Sequence, residues 1–284
     1  MGSWPEFHNE KERIAMKFMD LALARRLEMA SAMSGKACAE GAQRLHPELN
    51  AATQEIAGGI AVYAGADSPV TQALGVGLNG PVDSAELGRL EDFFRSRKAP
   101  VAIELCPLAG LPLYEALAKR EYRLVEVSSI LVRELNPADE FAASSSGVTI
   151  RRAALDDQQL FIRTVAQGFA EHAAPTPAIL DVMEGFFHSE NTHSFLAFVD
   201  GVVAGGASAF AFNGVAGMFG ASTLPHFRTR GVQSALLAAR LNWAAKQGCV
   251  LAKGVTLPGS TSQRNHERFD FRVAYTRTKL VRER

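Results

Sequence analysis

The sequence has few cysteines and no excess of charge of either sign. Its three cysteines, Cys38, Cys106 and Cys249, are widely spaced and match neither a metal-ligand pattern nor a disulfide framework, so we expect three buried, reduced thiols. Lys plus Arg and Asp plus Glu number 30 each, which gives a formal net charge of zero. A sequence-independent nucleic-acid-binding protein needs a strong positive field, so this class is excluded.

The sequence also lacks a recognisable signal peptide and a plausible membrane span. Its start, MGSWPEFHNEKERIAMKF, has no apolar core of the secretory kind. The most apolar stretch, residues 201–223, is interrupted by glycines and by Asn213-Gly214, with aromatic residues at alternate positions, which favours strands over a transmembrane helix. We expect a soluble cytoplasmic protein without a membrane partner.

A length of 284 residues with 47% hydrophobic residues is typical of two globular domains. The run NPADEFAASSSG at 136–147 is small, polar and rich in turn formers, and it predicts a linker. The sequence therefore divides into residues 1–135, a linker at 136–147, and residues 148–284.

Residues 148–223 read as a strand, a helix and a three-stranded meander. The helix is predicted from Asp156 to about His172 because apolar residues recur there at helical spacing. Strands are predicted at 193–199, 202–212 and 215–223. The dipeptides Asp200-Gly201 and Asn213-Gly214 between them suit type I′ hairpin turns, which require positive φ.

The third of these strands leads into an arginine-bearing loop that opens an amphipathic helix. The loop reads Arg228-Thr-Arg-Gly231-Val-Gln, and Val232, Ala235, Leu236, Ala239 and Trp243 follow as the predicted buried stripe. Unpaired amides and the dipole at a helix N-terminus favour an anion, arginines add charged donors, and Gly231 permits close approach. A pyrophosphate site is one reading; a solvated loop before an ordinary helix is the other.

At this point the sequence resembles the GNAT acetyltransferases, whose signature is Arg/Gln-x-x-Gly-x-Gly/Ala between a strand and a helix. Gln233 stands where Gly or Ala is usual, and Asp270-Phe271 replaces the Gly-Phe of the second family motif. The resemblance covers about residues 148–284. It implies an α/β (α+β) fold with a mixed, mostly antiparallel central sheet flanked by helices.

The resemblance also implies acetyl-CoA as co-substrate, no metal, and a small-molecule or peptide amine as acceptor; a homodimer stays open. Transfer would occur by direct attack of a primary amine in a ternary complex. The cofactor contacts implied by the motif are Thr223, Leu224, Arg228, Thr229, Arg230, Gly231, Val232, Gln233, Ser234 and Asn265.

Catalytic candidates follow from the same resemblance. The family often places a Tyr that protonates the leaving sulfur about five residues before the Phe of Gly-Phe, and here that position is His266. Tyr275 is a second candidate acid. The strand at 215–223 has no carboxylate to serve as base, so Glu171, near the expected acceptor cleft, is the candidate base. For each of the three, a merely structural role is the alternative.

The first half is a degenerate repeat of the second half. Val101 and Val250 begin similar segments, as do Tyr122 and Phe271, and each pair is 149 residues apart. The repeat is shorter where the arginine loop should be, and Asp83 at the expected helix start would repel a phosphate. We expect a degenerate GNAT-like domain in residues 1–135 without a cofactor loop.

Two rival functions remain open at this point. A non-catalytic GNAT-fold module that binds acyl-CoA or a protein partner would share the loop but would need no acid or base. A nucleotide hydrolase of another fold would need a lysine in the loop and a metal-binding carboxylate, and neither is present near Gly231.

Overall fold

The computed structural model describes residues 19–142 and 147–283. The helices are α1 (Leu21–Leu45), α2 (Ser84–Arg95), α3 (Leu111–Lys119), α4 (Gln158–Ala170), α5 (Pro177–Phe187), α6 (Val232–Lys246) and α7 (Thr261–Glu267). The strands are β1 (Ala52–Ile56), β2 (Gly59–Tyr63), β3 (Gln72–Leu74), β4 (Val101–Leu105), β5 (Arg123–Glu134), β6 (Val148–Arg152), β7 (Thr192–Val199), β8 (Val202–Phe212), β9 (Val215–Thr223), β10 (Leu251–Thr256) and β11 (Arg272–Arg282).

All of these strands form one mixed sheet, in the order β1-β2-β3-β4-β11-β5-β10-β9-β8-β7-β6. Only β3 with β4 and β9 with β10 run parallel; the other neighbours are antiparallel. The predicted fold class, a mostly antiparallel mixed sheet flanked by helices, is confirmed. The sequence did not reveal that the two halves share a single continuous sheet.

The halves are joined by an exchange of their last strands. Strand β11, from the second half, lies between β4 and β5, and β5, from the first half, lies between β11 and β10. In the β5–β11 pair, Ser128 lies opposite Arg277, and these residues are 149 positions apart. The internal repeat seen in the sequence is therefore a pseudo-twofold axis that passes between these two residues.

Helices cover both faces of the sheet. Successive residues of a strand point to opposite faces of the sheet. In β10, Leu251 therefore packs with α1 on one face and Ala252 packs with α6 on the other. One face carries α1, α4 and α5, and the other carries α2, α3, α6 and α7. Within the described residues, no helix has the length and apolarity needed to cross a membrane.

Most local predictions for the second half are confirmed. Strands β8 and β9 have the predicted bounds, and the turns between the meander strands have positive φ at Asp200, Gly201, Asn213 and Gly214. Helix α4 ends two residues earlier than predicted because Glu171 leaves helical geometry at φ 56°. The stripe of α6 is wider than predicted and includes Arg240, while Ala239 and Trp243 are half-buried.

The predicted linker is anchored at its start, and part of it, residues 143–146, lies outside the described residues. Asn242 of α6 accepts a hydrogen bond from the Phe141 amide and donates one to its carbonyl, each at 2.8 Å. The linker is therefore bound to helix α6 of the second half at Phe141.

A buried charge network lies beside the pseudo-twofold axis. Glu28 of α1 accepts hydrogen bonds from Tyr275 at 2.5 Å and from Arg277 at 3.2 Å. The Arg277 Nε lies 2.7 Å from a carboxylate oxygen of Glu104 on β4. Burial acts to raise the pKa of Glu28, but the positive charges of Arg277 and Lys253 and the two hydrogen bonds outweigh it, so the pKa lies below its ordinary value.

We predict that Arg277→Met costs about 3–5 kcal/mol of unfolding free energy, because it leaves two buried carboxylates without their shared cation. Arg151→Met is the matched control: its ion pair with Asp157 is exposed on the arginine side, and we expect a loss of about 0–1 kcal/mol. Urea unfolding followed by circular dichroism measures both. Equal losses for the two variants would contradict the role assigned to Arg277.

Candidate functional site

Two parallel strands separate in the middle of the second half. Strand β9 pairs with β10 from Val215 with Leu251 to Met218 with Gly254, and no further pair follows, although both strands continue. The β8–β9 register shifts near Gly220, which has φ 57°. The strands thus splay beyond Met218, and the β10-facing edge of residues 219–223 lacks a strand partner.

Helix α6 begins at the wide end of this opening. Its N-cap is Gly231 in the left-handed conformation, φ 79°, and the first turn of the helix has no acidic residue. A residue with a side chain would be strained at this φ, which explains the glycine. The positive end of the helix dipole therefore lies beside the splayed strands without an acidic cap.

A cleft of about 580 Å³ runs between the splayed strand end, the start of α6 and α7. It brings together eight of the ten predicted cofactor residues: Thr223, Arg228, Thr229, Gly231, Val232, Gln233, Ser234 and Asn265. The other two, Leu224 and Arg230, are not among its lining residues. Arg230 turns away from the cleft and forms an exposed ion pair with Asp200 at 2.8 Å.

Gln233, the departure from the family signature, has a structural role. Its side-chain amide donates a 2.9 Å hydrogen bond to the hydroxyl of Thr223 at the end of β9. The first turn of α6 is thereby tied to the strand. A Gly or Ala at this position cannot make the bond, so the departure keeps the cleft's shape and does not disrupt it.

Glu171 lies on the same side of the sheet opening as the loop. Its carboxylate accepts a 3.0 Å hydrogen bond from Arg228, and both side chains are exposed. This contact gives Glu171 a competing role: it partly neutralises the arginine that the sequence assigns to a phosphate. The structure offers no separate observation in favour of Glu171 as a base.

His266 lines the inner cleft, but its surroundings do not favour a proton donor. Its Nδ1 lies 2.8 Å from the Ser262 carbonyl, and its ring packs on Gly254, where a Cβ would meet it at 2.7 Å. Burial lowers the pKa of His266 to about 4, so the ring is neutral near pH 7. The single N–H of the neutral ring is donated to the Ser262 carbonyl and is not directed at a substrate.

Tyr275 lies outside the cleft, in the charge network on the other face. Its hydroxyl donates to Glu28, and burial, the first cause, and the Glu28 charge raise its pKa far above the ordinary value. The predicted acid candidates are therefore on opposite faces of the sheet. The geometry does not bring Tyr275 to the loop residues.

Arg240 also lines the cleft, and the sequence analysis did not single it out. It is almost fully buried in α6 and donates to the carbonyls of Leu236, Ser208 and Phe219, at 3.1, 3.3 and 3.5 Å. Burial lowers its pKa to about 9. One signal was available: a charged residue one helical turn after the stripe residue Leu236.

A second pocket of about 390 Å³ lies on the opposite face. Its mainly apolar walls come from α1 and the 69–74 segment of the first half and from α5, β9 and β10 of the second. Residues Phe219 and Gly220 line this pocket, Ala221 to Thr223 line the cleft, and Phe169 lines both. The two spaces thus border consecutive residues of β9.

Comparisons with known proteins agree with this architecture. The sequence profile of the "Acetyltransferase (GNAT) family" matches residues 160–271. A GCN5-related N-acetyltransferase from Kribbella flavida superposes with a TM-score of 0.65 and 20% identity, over 91% of this chain and 95% of its own. A tandem GNAT protein from the clavulanic acid biosynthesis pathway superposes with a TM-score of 0.58 and 14% identity, over 93% and 94%.

A third structure, a GCN5-related N-acetyltransferase from Sphaerobacter thermophilus, has a TM-score of 0.57 and 14% identity over 91% of this chain and 93% of its own. A search of the curated proteins gives no match. The fold and cleft define a mixed α/β protein with a splayed sheet and a helix N-terminus at the opening. Residues 160–271 of the chain form a domain of the GNAT acetyltransferase family.

We predict that the pKa values of His266 and His46 are shifted from the ordinary histidine value in opposite directions. The His266 pKa falls to about 4 through burial, whereas the hydrogen bond that His46 donates to the Glu184 carboxylate raises the pKa of His46 above its ordinary value. Imidazole Cε1–H NMR signals followed from pH 3 to 8, assigned with His266→Asn and His46→Asn, measure both. A His266 midpoint near 6.5 would restore it as a proton donor.

Proposed function

We propose that the protein transfers an acetyl group from acetyl-CoA to a primary amine, by direct attack of the amine on the thioester. The observation that supports this most is the cleft itself: eight motif residues surround a helix N-terminus with no acidic residue in its first turn, next to a strand edge that has no partner strand among the described residues. Helix dipole, amides and Arg228 offer donors for a diphosphate. The strand edge offers backbone groups for the pantetheine amides.

The two pockets support a ternary complex. In this proposal acetyl-CoA occupies the cleft on the α6 face and the acceptor occupies the pocket on the α1 face. Both spaces border residues 219–223 of β9, so the two substrates would meet at the splay without a covalent enzyme intermediate. Holding two reactants in contact supplies much of the rate enhancement of such a transfer.

The first half has the same kind of helix at the equivalent place, but its N-terminus is closed to an anion. Asp83 caps α2 by accepting from the Glu86 amide at 2.7 Å, and Glu86 accepts from the Asp83 amide at 3.1 Å. Two carboxylates stand where the second half has arginines. We therefore propose residues 1–135 as a degenerate domain, 136–147 as linker, and 148–284 as the catalytic domain.

Loop variants test the cleft. We predict that Arg228→Ala weakens acetyl-CoA binding about tenfold or more, because a charge-assisted phosphate contact is lost. Arg230→Ala is the matched control in the same loop, and we expect its affinity to be nearly unchanged because Arg230 pairs with Asp200 away from the cleft. Isothermal titration calorimetry measures both dissociation constants.

Glu171→Gln should act in the opposite direction. We expect acetyl-CoA to bind up to about fivefold tighter, since an exposed ion pair of about 0–1 kcal/mol no longer competes for Arg228. The same titrations should give one acetyl-CoA per chain. Unchanged affinity in Arg228→Ala, or a stoichiometry of two, would count against the proposed site or the degenerate first half, respectively.

Turnover separates an enzyme from a binding module. Free CoA thiol released during a screen of amine classes is the measurement. Release that requires both acetyl-CoA and an amine supports the transferase, whereas tight acetyl-CoA binding without release for any class favours the non-catalytic alternative.

A further inference from the structure

The polar side chains that line the pocket on the α1 face are either uncharged or positively charged. Its polar groups include Ser31, Ser34 and Gln72, together with Lys253 and Arg277. No aspartate or glutamate is among its lining residues within the part of the chain that the structure describes. Arg277 forms ion pairs with both Glu28 and Glu104, whereas no ion pair joins Lys253 to a carboxylate among the described residues.

Lys253 lies at the point where the sheet opens. It pairs with Gly217 of β9, one position before Gly254 and Met218, the last pair of the two strands. The next residues of β9 on this side, Phe219 and Gly220, border the pocket. Two positions along a strand span about 7 Å, which a lysine side chain can bridge, so its amine can reach a substrate held at the splay.

The hydrogen bonds of Lys253 leave one direction open. Its Nζ donates to the Leu27 carbonyl at 2.9 Å and to the Ser31 hydroxyl, both on α1. A neutral amine has two N–H groups and one lone pair. The two α1 acceptors use the two N–H groups, and the lone pair remains for the pocket that Lys253 lines.

Burial makes this neutral form accessible near physiological pH. Burial, the largest cause, lowers the pKa of Lys253 to about 8. Among the charged and titratable groups around it, Arg277 on β11 also lowers it, whereas Glu28 on α1, Glu104 on β4 and Cys106 raise it. The group can therefore both accept and release a proton.

We propose that Lys253 is the proton acceptor for the acceptor amine, and that this acceptor is a small, mainly apolar primary amine without further positive charge. The proposal rests on the acetyl transfer proposed above. Its substrate class follows from the pocket: apolar walls bind an apolar body, and a lining without carboxylates disfavours a second cationic group.

The proton balance of the step is complete. The ammonium of the substrate gives one proton to the neutral Lys253 amine, and the resulting primary amine attacks the thioester carbonyl carbon. The C–N bond forms, the C–S bond breaks, and the second proton lost from nitrogen ends on the CoA sulfur. Lys253 then returns its proton to solvent. The products are the N-acetyl amine, CoA thiol and one released proton.

The kinetic test uses the full chain, acetyl-CoA and 2-phenylethylamine, with Lys253→Met and Lys253→Arg. Both variants should lower kcat at least about 100-fold, because neither methionine nor a guanidinium accepts a proton near neutral pH. Lys119→Met, which removes an exposed lysine of α3 that does not line the pocket, is the control and should retain kcat. Circular dichroism shows which variants fold.

The pH dependence identifies the proton acceptor. For the wild type, kcat/KM should fall tenfold per pH unit below about 8, since Lys253 becomes protonated there. In Lys253→Met the midpoint should move to the pKa of the free amine. Spermidine should be at least about tenfold poorer than 2-phenylethylamine. The same midpoint and kcat in both folded variants overturns the role of Lys253, and a preference for spermidine overturns the substrate class.

Two further measurements keep the conclusions separate. Calorimetry with acetyl-CoA should give equal affinities for wild type and Lys253→Met, because Lys253 lies outside the cleft. If the wild type does not bind acetyl-CoA, the transferase proposal is refuted. NMR of the lysine Cε signals, with Lys253 assigned through the variant, should show a midpoint near 8; a value above 10 refutes the Lys253 proposal while the transferase proposal stands.

Discussion

The antiparallel pairing of β5 with β11 is the interaction on which the rest of the structure depends. Strand β5 pairs with strands of the second half and β11 pairs with strands of the first half, so neither half forms a complete sheet alone. At the centre of this pair Arg277 forms ion pairs with Glu28 from α1 and Glu104 from β4, and both carboxylates are buried. Because β11 carries Arg277 under the pocket on the α1 face, the exchange also determines that this pocket has walls from both halves.

The pseudo-twofold axis relates similar backbones that carry opposite chemistry. At the start of α2, Asp83 and Glu86 satisfy the first amides with carboxylates, whereas α6 starts at Gly231 with no acidic residue in its first turn and beside arginines. On the buried strands, Glu104 of β4 and Lys253 of β10 are 149 residues apart and both lie near Arg277. The fold is thus duplicated, but the sign of charge at equivalent positions differs, and this difference is what confines the proposed cofactor and proton-accepting sites to the second half.

Much of the second half could be predicted from sequence because its signals are local. Asn-Gly and Asp-Gly require positive φ, and an Arg-x-x-Gly loop between a strand and a helix needs no distant partner to be recognised. Individual side-chain roles could not be predicted in this way. Counting back from Phe271 selects His266, but the ring packs against Gly254 and is desolvated, so its proton is held rather than donated. Arg230 fits the motif by spacing, yet Asp200 from the β7–β8 turn draws it away.

The sequence by itself determined the family resemblance, the meander, the arginine loop and the 149-residue repeat, since each depends on residues close in the chain or on a constant spacing. Only the tertiary structure decided that the last strands are exchanged, that Lys253 faces α1 at the splay, and which charges are buried. These features depend on pairing between segments more than 140 residues apart, such as Lys253 with Leu27 and Arg277 with Ser128. The free energy of such contacts depends on desolvation by elements that are distant in sequence, and a local pattern carries no record of that.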